Sequence, residues 1–272
     1  MVGTGERDTT ASTGAQLERL GWRFYGICLE DQPRRRAYLE AELARHGIQP
    51  RLHHAVRPTD AGGFPTIGYR GCFESHLACL HMAREDGARI AVIAEDDVMV
   101  MSAFDRSAVA IDRWLGERDW SVLYLGYLED QSPAWHEPVR SVGPYVVESS
   151  GWHIQGCHFY AVNHTALDAL IANFEERLAP GGHRISPDGV VSEFHRDGGI
   201  RPLMCVPNLA HQAPRVSSKS PTDTLKGRIL DVPAGAALVE QVKRAQRERR
   251  SRRPMSAVVS EWNRRAADRT RA

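Results

Sequence analysis

No apolar run in this 272-residue chain approaches the roughly eighteen residues that a membrane-spanning helix needs. The five cysteines, at 28, 72, 79, 157 and 205, form no C-x-x-C pair and, being odd in number, cannot all be bridged. Reduced thiols in a cytoplasm are the simplest expectation, with Cys72 and Cys157 packed rather than reactive. Met1 to Ala15 is polar and lacks the apolar centre of a signal peptide. Gly62-Gly63 is followed by no Gly-Lys-Ser/Thr, so a phosphate-cradling loop of that type is not read there. His153 and His158 flank Cys157 without a second pair at ligand spacing, which argues against a zinc site built on them. The basic C-terminal stretch has little aromatic interleaving beyond Trp262, a poor surface for stacking nucleic-acid bases.

What the chain does have is an acidic strand end. Ile90-Ala91-Val92-Ile93-Ala94 is a continuous apolar run that stops in Glu95-Asp96-Asp97. Such a run reads as a strand buried on both faces, where alternation disappears. Acids at its carboxyl end then lie in the crevice where open α/β sheets bind ligands. Three carboxylates this close repel one another unless a cation sits among them. A hard divalent ion, shared with a phosphate-bearing substrate, meets that need through oxygen ligands.

Around this strand, helices and strands alternate. Strands are expected over Trp22–Leu29, Arg51–Val56, Ser121–Leu125 and Arg201–Cys205, with a strand or hairpin arm over Trp152–Val162. Helices are expected over Pro33–His46, Cys72–Arg84, Phe104–Leu115, Thr165–Leu178 and Gly189–His195. Pro58–Gly68 and the polar, Pro-rich Leu128–Pro144 read as loops, the second lying over the site. Alternation of this kind gives an α/β layer fold with a mostly parallel sheet. Charge divides the chain. Residues 240–272 hold eleven Lys and Arg against four acids, net +7, and the rest holds 24 against 30, net −6. The expected organisation is a disordered segment at 1–20, one catalytic domain at 21–235, and a basic, partly helical tail at 236–272. The tail would suit an anionic membrane surface.

Several motifs in order carry a family resemblance. Gly71-Cys72-Phe73-Glu74-Ser75-His76-Leu77, a helix, a strand and then Glu95-Asp96-Asp97-Val98 resemble the pattern of glycosyltransferase family 25, which includes bacterial lipopolysaccharide galactosyltransferases and collagen galactosyltransferases. Ile27-Cys28-Leu29 with Arg34-Arg35 and Gly47-Ile48 is similar to that family's opening segment. Val122 to Gly126, Gly156 to Val162, Pro187-Asp188 and Pro207 to Gln212 are similar to its later elements. The likeness spans roughly residues 22 to 215. Glu30-Asp31-Gln32-Pro33 and Tyr69-Arg70 depart from it.

The resemblance implies a GT-A type, Rossmann-like sheet flanked by helices, in a single domain. It also implies a metal-dependent, inverting transfer of a hexose, galactose from UDP-galactose, to a glycan or glycolipid acceptor. Mn2+ or Mg2+ would be the cofactor and the UDP-sugar the donor. The protein would be cytoplasmic, peripheral at the inner membrane face, and would bind no nucleic acid. Asp97, Glu95 and His211 are the candidate metal ligands. Arg34, Arg35, Ser75, His76, Glu95, Asp96 and Gln212 are the candidates for contacting the nucleotide or shaping its site. Asp188 is the candidate general base, though a carboxylate there also suits a helix N-cap; Glu193 is the alternative base. Which of the three acids coordinates stays open, because side chains alternate faces until the strand ends. A silent nucleotide- or glycan-binding protein of the same fold is one competing expectation, and a metal-dependent phosphoryl hydrolase using the same acids is another.

Overall fold

The computed structural model describes residues 11–128, 137–213 and 233–270. Its elements run α1 (Thr13–Arg19), β1 (Trp22–Leu29), α2 (Pro33–Ala44), β2 (Arg51–Ala55), α3 (Ile67–Glu85), β3 (Ile90–Glu95), β4 (Val98–Val100) and α4 (Ser102–Leu115). They continue with β5 (Val122–Gly126), β6 (Val139–Gly143), β7 (Val146–Ser149), β8 (Phe159–Asn163), α5 (His164–Leu178), α6 (Pro187–Asp197), β9 (Leu203–Cys205), β10 (Ala210–Gln212), α7 (Pro233–Ser251) and α8 (Met255–Thr270). One sheet holds the strands in the order β2-β1-β3-β8-β5-β9-β7-β6, with β4 and β10 paired to one side of that path. β2, β1 and β3 are parallel, and β8 runs reversed between β3 and β5. β3 and β5 therefore point the same way, and β9 lies parallel to β5. The expected α/β class, a mostly parallel sheet flanked by helices, is what the chain forms.

Burial on two faces explains why β3 shows no periodicity. Ala91 and Ile93 pack with Phe73, Leu77 and Leu80 of α3 and Phe174 of α5. Ile90, Val92 and Ala94 pack on the other face with Leu39 and Leu43 of α2 and Phe104 and Ile111 of α4. Local signals set the helix starts. Pro33 occupies the first turn of α2, and Ser186 caps α6 ahead of Pro187. Gly47, at φ 71, turns the chain out of the helix in a conformation side chains resist.

The structure corrects several expectations. α3 begins at Ile67, inside the expected Gly/Pro loop, because the Thr66 hydroxyl caps it by accepting from Tyr69 N–H at 3.2 Å. Of the expected loop at 128–144, residues 129–136 lie outside the described residues, while Val139–Gly143 pairs with β7 in a hairpin. The strand expected over 152–162 starts only at Phe159. Within the expected disordered segment, residues 1–10 lie outside the described residues, but Thr13–Arg19 is helical and buries Leu17.

The basic stretch is not a free tail. α7 and α8 pack against the body, and Trp262 is 1% exposed in the core beside Tyr127. Arg244 forks onto Glu42 at 2.7 and 3.0 Å, and Glu42 also accepts from Val100 N–H at 2.8 Å. Glu248 accepts from the Ser102 N–H and hydroxyl, and Asn263 exchanges two bonds with the Val139 backbone.

His195 of α6 is fully buried against Tyr124 and Phe194, and neither ring nitrogen has a partner among the described residues. Burial lowers its pKa from 6.5 to about 4. Between those values the unfolded chain takes up a proton that the native fold refuses, so stability falls with acidification and levels off below about 4. The loss from this group should be about 3 kcal/mol, and His195→Leu should flatten that part of a denaturation-versus-pH series. Glu42→Ala should lower the unfolding free energy by about 2–4 kcal/mol, since it strands the Val100 N–H and leaves Arg244 only Glu240 and the Val100 carbonyl. A urea titration showing less than about 1 kcal/mol would mean that α7 contributes no docking there.

Candidate active site

Strand alternation divides the acidic triplet. Glu95 continues the face of β3 that carries Ile93 and meets α3; Asp96 continues the face that carries Ala94 and meets α2. Glu95 Oε1 accordingly lies 3.3 Å from His76 Nε2, and the other ring nitrogen of His76 lies 3.1 Å from the Tyr160 hydroxyl. Asp96 takes the Arg35 guanidinium at 2.5 Å. Asp97, one residue further, is 3.9 Å from Arg35. Its Oδ1 is buried with no partner among the described residues.

Among the described residues the three carboxylates thus share one permanent cation, Arg35, and their proton affinities diverge. Burial opposes the charge on Glu95, but its bond to His76 and the nearby positive groups hold its pKa below the usual value. Burial raises that of Asp96, with Arg35 opposing. For Asp97, burial and the neighbouring Glu95 and Asp96 outweigh Arg35 and push the pKa up to about 8. A buried carboxylate oxygen with neither hydrogen bond nor cation, beside a second acid, is the donor set that a hard divalent ion fits.

Other elements close on this point. β10 pairs with β4 immediately after the triplet, and Ala213 N–H donates to the Asp97 carbonyl at 2.6 Å. Gln212 and His211 are thereby brought beside it. Arg247 of α7 donates to the Gln212 carbonyl at 2.8 Å. Burial, with Arg247, His158 and Arg250 nearby, keeps the His211 pKa well below the ordinary value, so its imidazole is neutral. The charges that act on it are cationic rather than those of the triplet.

Asp188 stands in the first turn of α6, but Ser186 supplies the N-cap. Asp188 Oδ1 also accepts from Gly189 N–H in that first turn at 3.2 Å, while its Oδ2 accepts from Gly156 N–H at 3.3 Å; Gly156 adopts φ 90, a conformation that suits glycine. The next residue, Cys157, lies within electrostatic reach of Asp188, Glu95 and Cys72, and burial drives its thiol pKa well above normal. The base candidate and the triplet therefore flank one buried thiol.

Three expected residues are placed elsewhere. Glu193 is committed to Arg177 of α5 at 2.9 Å and to Arg196. The Ser75 hydroxyl donates to the Gly71 carbonyl within α3 at 2.6 Å. Arg34 is exposed, and it is Arg35 that reaches the acids. Sequence reading missed Arg247, because a charge run gives no sign of where it docks. It also missed the hydroxyl of Tyr160 as the partner of His76, and Cys72 as their neighbour. The four-residue spacing of Cys72 and His76 on one helix was the available signal.

No protein-family model matches the chain. It is similar to the lacto-N-neotetraose biosynthesis glycosyltransferase LgtB of Neisseria meningitidis serogroup B, at 24% identity over 208 residues, covering 67% of this chain and 74% of that protein. Among solved structures it is similar to A197 from STIV (13% identity, TM-score 0.37, 67% of this chain and 80% of that one). Mannose-1-phosphate geranyltransferase from Thermus thermophilus is similar at 16% identity and TM-score 0.35, over 70% of this chain and 62% of that one. Scores this low carry no argument about fold or function.

With chelator present, Asp97→Asn should raise the unfolding free energy at pH 7 by an amount on the order of 2–4 kcal/mol, since it removes a carboxylate that burial disfavours. A denaturant titration in which the variant is less stable than the parent would show that Asp97 already has a compensating partner.

Proposed function

We propose that the chain is a metal-dependent glycosyltransferase of the family 25 kind, moving a hexose from a UDP-sugar, galactose from UDP-galactose, to a glycan or glycolipid acceptor. One observation carries the reading: the buried, unpartnered Oδ1 of Asp97 beside Glu95 at the carboxyl end of a central strand. The similarity to LgtB supports glycosyl transfer as the reaction class.

Asp97 and Glu95 would hold Mn2+ or Mg2+, with His211 a further ligand if its ring turns toward them. The ion supplies Lewis-acid stabilisation of the charge that develops on the departing diphosphate. Arg35, already against Asp96 and Asp97, fixes the carboxylates and adds positive charge on the side of the leaving group. Asp96 orients that guanidinium. Gln212, set beside the triplet by β10, contacts the nucleotide, and Arg247 behind it reinforces the positive field. His76 keeps Glu95 ionised and in place. Asp188, oriented by the Gly156 N–H, takes the proton of the acceptor hydroxyl as that oxygen attacks the sugar carbon from the face opposite the diphosphate, inverting it.

UDP should raise the melting temperature in the presence of Mn2+ and much less with chelator, because a ligand that binds only the native fold stabilises it by about 2.7 kcal/mol at 100 times its Kd. Asp97→Asn should abolish the metal-dependent shift and any turnover of UDP-galactose. If neither UDP nor another nucleoside diphosphate shifts the transition with Mn2+ present, the reading is wrong. A shift without turnover of any sugar nucleotide would favour the silent binding protein.

A further inference from the structure

We propose that Cys72, His76 and Glu95 form a second cation site, suited to Zn2+, that adjoins the proposed donor-metal site and shares Glu95 with it. One donor atom from each, a thiol sulfur, an imidazole nitrogen and a carboxylate oxygen, lie within 4.8 Å of one another. Cys72 and His76 are four residues apart on α3 and so share a face of the helix, while Glu95 comes to meet them from the end of β3. The 3.3 Å between His76 Nε2 and Glu95 Oε1 matches the about 3.3–3.7 Å that separates neighbouring ligands in a tetrahedral zinc site with ordinary bond lengths.

A second, independent feature is the support behind the histidine. His76 is fully buried and its Nδ1 lies 3.1 Å from the Tyr160 hydroxyl, with the two rings stacked at 5.7 Å. A tyrosine hydroxyl accepts as well as donates. The imidazole can therefore move its proton to Nδ1 when an ion enters, giving up its hydrogen bond to Glu95 and presenting the Nε2 lone pair to the ion between them. Outer partners of this kind orient zinc-bound histidines. Cys72 is only half-buried, which leaves an entry for the ion and a fourth position for water.

The chemistry separates this site from the other. Sulfur and nitrogen donors select zinc over manganese or magnesium, whereas Asp97 offers oxygen alone. Binding deprotonates the thiol, and the proton leaves to solvent. Because Glu95 is common to both ligand sets, zinc held by Cys72 and His76 draws that carboxylate away from the donor's ion.

Metal-stripped full-length protein, titrated with Co2+ and then Zn2+, tests this. Co2+ should produce a thiolate-to-cobalt charge-transfer band that one equivalent of Zn2+ removes. Cys72→Ser should lose the band and bind zinc at least about 100-fold more weakly, beyond the usual effect of losing only an outer partner. Asp97→Asn should keep both. A band that survives in Cys72→Ser, or zinc uptake by the parent no tighter than by that variant, overturns the proposal, as does loss of the site in Asp97→Asn. Neither readout involves a nucleotide or a sugar, so these outcomes are independent of the glycosyl-transfer reading.

Discussion

The site depends on a shortage of positive charge at the end of β3. Among the described residues three consecutive carboxylates meet one guanidinium and one imidazole, and the alternation of the strand decides who receives which. Glu95 goes to His76 on one face, and Asp96 goes to Arg35 on the other. Asp97, at the turn, keeps one oxygen buried and unsatisfied. A packed protein tolerates such an arrangement where a ligand relieves it, and strain of this sort gathers at functional positions. The same argument gives each neighbour its role. Arg35 stabilises without neutralising, and His76 pins one acid while leaving another free.

The C-terminal helices change the meaning of the charge distribution. As a sequence, the +7 segment is a solvated arm against an acidic body. In the folded chain several of its charges act as internal fittings. Arg244 clamps Glu42, Arg247 caps the Gln212 carbonyl, and Trp262 fills the core under β6. Long Arg side chains can do this because their stems pack while their heads reach polar partners. The structural consequence is that Arg247 of α7 adds positive charge beside β10.

The alternating elements, the buried central strand and the acidic stop were legible without coordinates, because β-branched apolar runs, Pro at helix starts and Gly at helix ends are local effects. Errors fell where a partner outside the segment overrides its composition, whether a few residues away or on another helix. Val139–Gly143 reads as part of a polar loop but becomes a strand because β7 pairs with it. The first turn of α3 hides among Gly and Pro until the Thr66 cap is seen. Glu193, the alternative to Asp188 as base, is bound to Arg177 of another helix, which nothing near it in sequence signals.

The sequence by itself determined the fold class, the acidic cluster and its place at a strand end, since each follows from residue type and spacing within a few positions. It took the packing of distant segments to settle which acid keeps one buried oxygen without a partner among the described residues, that Arg35 rather than Arg34 reaches the acids, and that Tyr160 and Cys72 gather around His76. Those outcomes depend on which faces of α2, α3 and β8 are turned toward β3. Facing is set by packing between segments far apart in the chain, and no local pattern encodes it.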